Sequence, residues 1–593
     1  MARLGFFISA ITTLVFTAFL YPSAVPSVVY LRADPDGVGT GWVVDAAKNL
    51  ILTCRHVVGE RRALEVFFPV FRDGRPLADA ADYLGRRAEG TLVPGKLLRT
   101  SDALDLALIE VPSMPAGTRA LPLAARRPAL GQAVLGIGHR GDVDTLWNAT
   151  AGTVRQRGTL ADGYFWQAAK LAADLPALVL QSPIEEGDSG GPVLNGRGEV
   201  VGMIAALRRR TPLAAVGPDA SAIRTFLKLQ EPVAKAESGP VEGVARSTVW
   251  LRPTATDTRT AGVLIDRERR LVLTSVTGVG PLDRVGMTFP LSGPKGEIVA
   301  ERERYRDGVD LLLAKRWAVG TVVVRDPRRD LALVRLDAVP DGVNAVSLAG
   351  SDPEVMGDAF ALAHPMGLEF AFVAASGTLR QRGRIALGRD PEKPLVNLFQ
   401  LPAQAASAGG PICNARGELI GIAAAKDAPQ QQAYAASASE LRAFLAEAPV
   451  AILAGNAREF WSGMNSLEKV ADWYGVSTAK GSDAARFPKN EHGLFVRASQ
   501  RSLASDWAGA LADCDTLLLK RPQHSGALML RANARLESKD VKGAIGDLQR
   551  RLDTDPGDLD FRTALAKCYS ASGEPAKAAA ELTKIARLKA ASK

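Results

Sequence analysis

The chain has 593 residues, 47% of them hydrophobic and 23% charged, a globular composition that excludes a predominantly disordered or fibrous protein. Its net charge of +9 is spread over short runs such as Arg208-Arg209-Arg210 without interleaved aromatics, so nucleic acid is not expected as a partner. The four cysteines, at 54, 413, 514 and 568, and the five histidines fall into no disulfide or metal-ligand spacing, so no metal or other cofactor is expected.

Residues 1–24 open with Arg3, then the apolar or small run Phe6 to Leu20, then Tyr21-Pro22-Ser23-Ala24. This reads as an export signal cleaved near Ala24 or as a membrane anchor left in place, and both place the rest of the chain outside the cytoplasm. From 25 to 229, short apolar runs alternate with Gly, Pro, Asp and Arg clusters, the pattern of an all-β sandwich or barrel. Three residues in this stretch carry chemistry. His56 follows the run Leu50-Ile51-Leu52-Thr53-Cys54, Asp105 heads Leu106-Ala107-Leu108-Ile109, and Ser189 lies in Gly187-Asp188-Ser189-Gly190-Gly191-Pro192.

A serine hydroxyl is a weak nucleophile near neutral pH, so it needs a base to take its proton and later return it to the leaving amine; His56 suits that role. Asp105 would fix the imidazole tautomer and offset the imidazolium charge, and the order His, Asp, Ser is one of the known triad orders. Asp102 is a rival for Asp105, but only Asp105 directly precedes the apolar run. Backbone N–H groups of Gly187 and Ser189 are candidates for an oxyanion hole, where losing one donor costs roughly 10²- to 10³-fold in rate.

A second copy of the same pattern occupies 244–447, after a connector at 230–243. Ser27-Val28-Val29-Tyr30-Leu31-Arg32 returns as Ser247-Thr248-Val249-Trp250-Leu251-Arg252, and Gly152-Thr153-Val154-Arg155-Gln156-Arg157-Gly158 returns as Gly377-Thr378-Leu379-Arg380-Gln381-Arg382-Gly383. Laying the triad onto this copy puts Thr277 at the histidine position, Asp330 at the aspartate and Ala408 at the serine, with Ala406 in place of Gly187. Base and hydroxyl are both missing, so this copy is expected to be inert. Ser407 and His364 do not lie at matching positions, and His139 and His364 share a position in the two copies, which points to a structural role.

Together these segments, with Gly39-Thr40-Gly41-Trp42-Val43-Val44-Asp45 and Leu135-Gly136-Ile137-Gly138-His139, resemble trypsin-like serine peptidases, and among them the bacterial HtrA type. The resemblance implies two β-barrels per copy with the active site between them. It also implies that Pro183 and Ile184 line the primary specificity pocket, which, lacking a carboxylate at its floor, would favour small or medium apolar side chains. HtrA-type enzymes usually carry a PDZ module, and no counterpart is found in this sequence.

Past residue 448 the strand pattern stops; residues 448–490 read as a linker or helical region. Over 491–593, Ala510, Ala544 and Ala578 stand 34 residues apart, as do Ala498, Ala532 and Ala566, and Pro522 and Pro556. This spacing resembles tetratricopeptide repeats, whose period is 34. The expected architecture is thus multidomain: two tandem trypsin-like double β-barrel domains followed by an all-α helical-repeat domain. The expected function is an exported serine endopeptidase acting on polypeptides, with the inert copy and the repeats binding a protein partner or regulating the first copy. The alternative is a non-proteolytic envelope scaffold built on the same modules.

Overall fold

The computed structural model describes residues 19–591 apart from 34–36, 62, 86–91, 141–144, 161–174, 208–213, 233–237, 253–259, 295, 365–369, 386–395, 402–406, 425–432 and 448–490. Strands Val28–Ala33, Gly37–Asp45, Leu50–Cys54, Ala63–Phe67, Leu92–Ser101 and Leu106–Glu110 close into an antiparallel barrel. Their apolar runs turn Val29, Leu31, Val43, Ile51 and Ile109 away from water, each at most 1% exposed. A second sheet of seven strands lies beside this barrel, from Ala133–Arg140 to Ala214–Pro218. Its two end strands, Val200–Met203 and Ala206–Leu207, are separated only by Ile204 and Ala205, so the sheet is a ring interrupted at one place. The helix Ala220–Leu227 closes the copy, capped by Asp219, whose carboxylate accepts from Ser221 N at 2.8 Å and Ala222 N at 3.0 Å.

The second copy repeats this plan. Six strands from Thr248–Arg252 to Leu331–Leu336 close a barrel, and seven more form the adjoining sheet. Here the interruption falls elsewhere: Val373–Thr378 and Gln381–Ile385 are the end strands, parted by Leu379 and Arg380, where the first copy has one continuous strand, Thr145–Leu160. The connector read from the sequence as 230–243 is helical at its end. Pro240 starts the helix Pro240–Ser247, and Val241, Val244 and Ala245 are buried in a core that continues into both copies. The periodicity of so short a helix is hidden by Pro240 and Gly243, which read as linker residues.

Six helices, Glu491–Leu503, Trp507–Lys520, Ser525–Glu537, Val541–Thr554, Leu559–Ala571 and Pro575–Ala591, form three antiparallel pairs. The alanines at the 34-residue spacing are 0–5% exposed, so close helix approach depends on them. Ion pairs repeat at the same interval: Arg497 reaches Asp513 at 2.5 Å and Arg531 reaches Asp547 at 2.6 Å. The helices rest on the first barrel of the second copy, where Arg521 pairs with Asp283 at 2.6 Å, Arg587 pairs with Asp310 at 2.5 Å, and Trp317 Nε1 donates to Thr554 O at 3.2 Å.

Most of the expected export segment lies outside the described residues, as do residues 448–490. Within the described part, Tyr21 Oη donates to Trp147 O at 2.6 Å, and Ala24 and Val25 are 3% and 1% exposed, so the first copy's packing begins upstream of residue 25. Among the described residues no helix is long and apolar enough to cross a membrane.

Candidate active site

Two neighbouring strands bring His56 and Asp105 together at one end of the first barrel, where Cys54 pairs with Leu106. After strand Leu50–Cys54 the chain makes one helical turn, Arg55–Val58, that carries His56. Asp105 precedes strand Leu106–Glu110 with φ +51°, a left-handed conformation that aspartate tolerates better than most residues. Its backbone carbonyl accepts from Arg55 N at 3.0 Å, and its Oδ1 accepts from His56 N at 3.0 Å. Its Oδ2 lies 2.7 Å from His56 Nδ1. Asp105 is 2% exposed, whereas the imidazole is 36% exposed and so keeps its other nitrogen accessible. Burial is the largest influence on His56 and lowers its pKa, but the hydrogen bond to Asp105 and that carboxylate's charge together outweigh it and hold the imidazole above its usual value. Asp102 is engaged differently: 71% exposed, it pairs with Arg55 Nε at 3.0 Å.

The loop Gly187–Pro192 is seated on strands of both halves. Ser189 O accepts from Thr40 N at 2.9 Å, Gly187 O accepts from Thr40 Oγ1 at 2.8 Å, and Gly190 N donates to Ile204 O at 2.7 Å. Gly190 has φ +91°, and a Cβ there would lie 2.0 Å from Thr40 O, so no side chain fits. Among the described residues the N–H groups of Gly187 and Ser189 have no protein acceptor, as donors reserved for an oxyanion require. Ser189 Oγ donates to Ala205 O at 3.3 Å and not to His56. Proton transfer therefore needs a rotation of the Ser189 side chain.

The same frame recurs in the second copy. Val276 N donates to Asp330 O at 3.3 Å, Thr277 N to Asp330 Oδ1 at 2.9 Å, and Ala261 N to Ala408 O at 3.0 Å. At Gly409, φ +78°, a Cβ would lie 2.3 Å from Ala261 O. The Thr277 hydroxyl donates to Asp330 Oδ1 at 3.0 Å, and Ala408 has no hydroxyl. Ser407 Oγ accepts from His364 N at 3.0 Å, which commits both residues to the fold. Ala406 lies outside the described residues.

His139 and His364 share one structural role. Each ring accepts at Nδ1 from a backbone N–H, of Trp147 at 3.1 Å and of Phe372 at 3.2 Å, and each packs edge-on against that aromatic ring. Burial pushes the pKa of His139 down to about 3 and that of His364 down as well. Of the two pocket candidates, Pro183 is exposed and Ile184 is 3% exposed within the core, so Ile184 is committed to packing. Sequence spacing also conceals Cys54, whose sulfur, with ligand atoms of His56 and Asp105, falls in a group spanning at most 4.8 Å. Its thiol donates to Ile204 O at 3.4 Å, and burial, with the Asp105 carboxylate adding to it, raises its pKa well above the usual thiol value. A buried thiol donating to a backbone carbonyl in this way serves packing.

A barrel pair with this loop and this His–Asp contact defines the trypsin-like class. The trypsin-like peptidase domain model matches residues 39–203 and again 260–422, more than half of the sequence, so the chain belongs to that family. A tetratricopeptide-repeat model matches residues 535–592. The chain is 25% identical over 180 residues to "Serine protease HtrA-like" of Staphylococcus aureus, covering 30% of this chain and 21% of that protein. It is 36% identical over 111 residues to "Periplasmic serine endoprotease DegP" of Salmonella typhimurium, covering 18% and 22%. The chain thus spans about a fifth of either relative's length. Among solved structures, the Rv3671c protease from M. tuberculosis in its active form is 21% identical with a TM-score of 0.29, covering 37% of this chain and 89% of that one.

Proposed function

We propose that the first copy is an extracytoplasmic serine endopeptidase and that the second copy is a catalytically inert relative fused to it. The observation that carries this reading is the 2.7 Å contact of His56 Nδ1 with Asp105 Oδ2, on a frame that the second copy keeps while holding Thr277 and Ala408 instead. Ser189 Oγ turns from Ala205 O to the free imidazole nitrogen of His56, gives up its proton there and attacks the substrate carbonyl carbon. The carbonyl oxygen takes the negative charge against the N–H groups of Gly187 and Ser189. His56 returns the proton to the departing amine as the C–N bond breaks, leaving an acyl-serine. Water repeats the sequence: His56 removes its proton, the hydroxide adds to the acyl carbon, and Ser189 leaves with the proton restored. Asp105 keeps the imidazolium oriented and charge-balanced throughout. The helical repeats supply a protein-binding surface, and names such as "Periplasmic serine endoprotease DegP" among the relatives favour an envelope location.

One observation favours the scaffold reading: the Ser189 hydroxyl rests on Ala205 O and not on the base. A fluorophosphonate probe on the full chain separates the two. Labelling lost in Ser189→Ala is the result expected of the peptidase, and a wild-type chain that never labels is the result expected of the scaffold.

A further inference from the structure

The two copies meet where the first copy's oxyanion loop begins. Strand Leu175–Gln181 ends eight residues before Ser189, and the segment between them carries Gly187. The Gln181 side chain leaves its own copy. Its Nε2 donates to Ser376 O at 2.7 Å, and its Oε1 accepts from Ser376 N at 2.9 Å. One amide thereby satisfies both polar groups of one residue in the second copy's strand Val373–Thr378, as an opposite strand residue would. Around this contact, Thr153 Oγ1 lies 2.7 Å from Ser376 Oγ, and Gln156 Nε2 donates to Ala371 O and Phe372 O, both at 2.8 Å. The backbone beneath is closely approached: a Cβ on Gly152 would fall 2.6 Å from Gln181 O and 3.0 Å from Ser182 Cβ.

We infer that Gln181 is a positioning residue for the proposed hydrolysis, and that the second copy acts through it to hold the oxyanion loop of the first in working geometry. This rests on the peptidase reading above. The loop is a short span between two fixed ends. At the far end Thr40 holds Gly187 O and Ser189 O, and Gly190 N donates to Ile204 O at 2.7 Å. At the near end the Gln181 backbone is paired with Thr153 and Ala214 of its own copy, and its side chain adds a pin whose partner belongs to the other copy. The donors at 187 and 189 must lie within about 3 Å of the developing oxyanion to act on it, and an error of about 1 Å in such placement costs on the order of a hundredfold. An inert copy therefore stays useful without any chemistry of its own, because it supplies a peptide group at the right place.

The test uses the full chain and a chromogenic peptide, with active sites counted by fluorophosphonate. Gln181→Leu removes both bonds at nearly constant volume and is expected to lower kcat about tenfold to a hundredfold with KM changed less than about twofold. Gln156→Leu breaks two bonds of the same interface away from the loop and is expected to lower the melting temperature while leaving kcat at the wild-type value. Ser376→Ala spares the backbone pair and is expected to be silent in kcat. If Gln181→Leu does not fold, Gln181→Glu decides the matter: it keeps the bond from Ser376 N–H, loses the one to Ser376 O, and is expected to lower kcat severalfold. Full kcat in a folded Gln181 variant, or an equal loss of kcat in Gln156→Leu, overturns the inference. A wild-type chain that neither labels nor hydrolyses overturns the peptidase reading instead.

Discussion

Asp105 and Asp330 occupy the same place in two copies of one fold, yet only Asp105 has an imidazole to orient. Both take up left-handed backbone, φ +51° and +53°, and both accept a backbone N–H from the one-turn helix through Oδ1. The aspartate thus has two separable tasks, one per oxygen. Oδ1 holds the helical turn to the barrel, and this task survives in the second copy. Oδ2 faces His56 in the first copy, a task without a counterpart in the second. Asp330 thus has a structural task that needs no histidine at position 277, as Gly409 and Gly410 have tasks that need no serine at 408.

The strongest way to break this contrast is to remove the atoms found in one copy only. Ser189→Ala or His56→Ala should lower kcat for a peptide substrate by about 10⁴- to 10⁶-fold with little change in melting temperature, measured with enzyme purified free of host peptidases. Residual hydrolysis near the wild-type rate in either variant would place the chemistry elsewhere. Asp105→Asn should cost about 10⁴-fold, since the amide can present the wrong hydrogen-bonding group to Nδ1 while Oδ1 still caps the turn. Asp330→Ala should leave hydrolysis unchanged and destabilise the second copy by about 0.5–1.5 kcal/mol, because the part-buried N–H of Thr277 loses its acceptor. A loss of activity in Asp330→Ala comparable to that in Asp105→Asn would erase the distinction between the two tasks.

Much of this contrast is legible in the sequence because the proposed triad residues sit at fixed points of a repeated strand pattern, and an internal copy shows which points the fold retains when the histidine and serine are replaced. The barrels follow from short Val-, Leu- and Ile-rich runs, and the helical repeats from alanines 34 residues apart. What escapes is non-local. The choice of Ser189 Oγ between Ala205 O and His56 is a side-chain torsion that no spacing records. The Gln181 contact joins residues 195 apart, and a lone glutamine at a strand end carries no signal. Ile184 follows Gln181-Ser182-Pro183, after the apolar run Leu178-Val179-Leu180 has ended, and sequence alone gives no means of distinguishing a pocket wall from core there. The Arg497–Asp513 and Arg531–Asp547 pairs were accessible in principle, as an identical 16-residue spacing repeated at the 34-residue period.

The glycine after the nucleophile position offers a sharper and smaller test of equivalence. Gly190→Ala and Gly409→Ala each drive a Cβ into a backbone oxygen, at 2.0 Å from Thr40 O and 2.3 Å from Ala261 O. Each should destabilise its own copy by about 3 kcal/mol, read by hydrogen exchange resolved to the two copies. Only Gly190→Ala should also abolish fluorophosphonate labelling. Unequal destabilisation would mean that the two loops are not the same structural device.

The last contrast is in pH response, where the effect is expected to be modest and its sign is the informative part. His56 acts as a base only when neutral, and Asp105 holds its pKa above the free-imidazole value of about 6.5, so the acidic limb of kcat/KM should lie above that pH. In Asp105→Asn the charge is gone and burial alone remains, so the limb of the residual activity should move below the wild-type position. The raised pKa also adds stability that is complete below about pH 6.5 and is lost as pH rises through the folded value. His139 has the opposite sign. Its folded pKa of about 3 means that the unfolded chain binds a proton that the folded one refuses, so stability falls as pH drops from about 6.5 towards 3. The second copy has His364, whose pKa burial also lowers, but no counterpart of His56, so lowering the pH should destabilise it without the partial offset His56 gives the first copy. Copy-resolved hydrogen exchange at several pH values measures this directly, and identical pH slopes in the two copies, unchanged by His56→Gln, would show that the Asp105 contact is not maintained in solution.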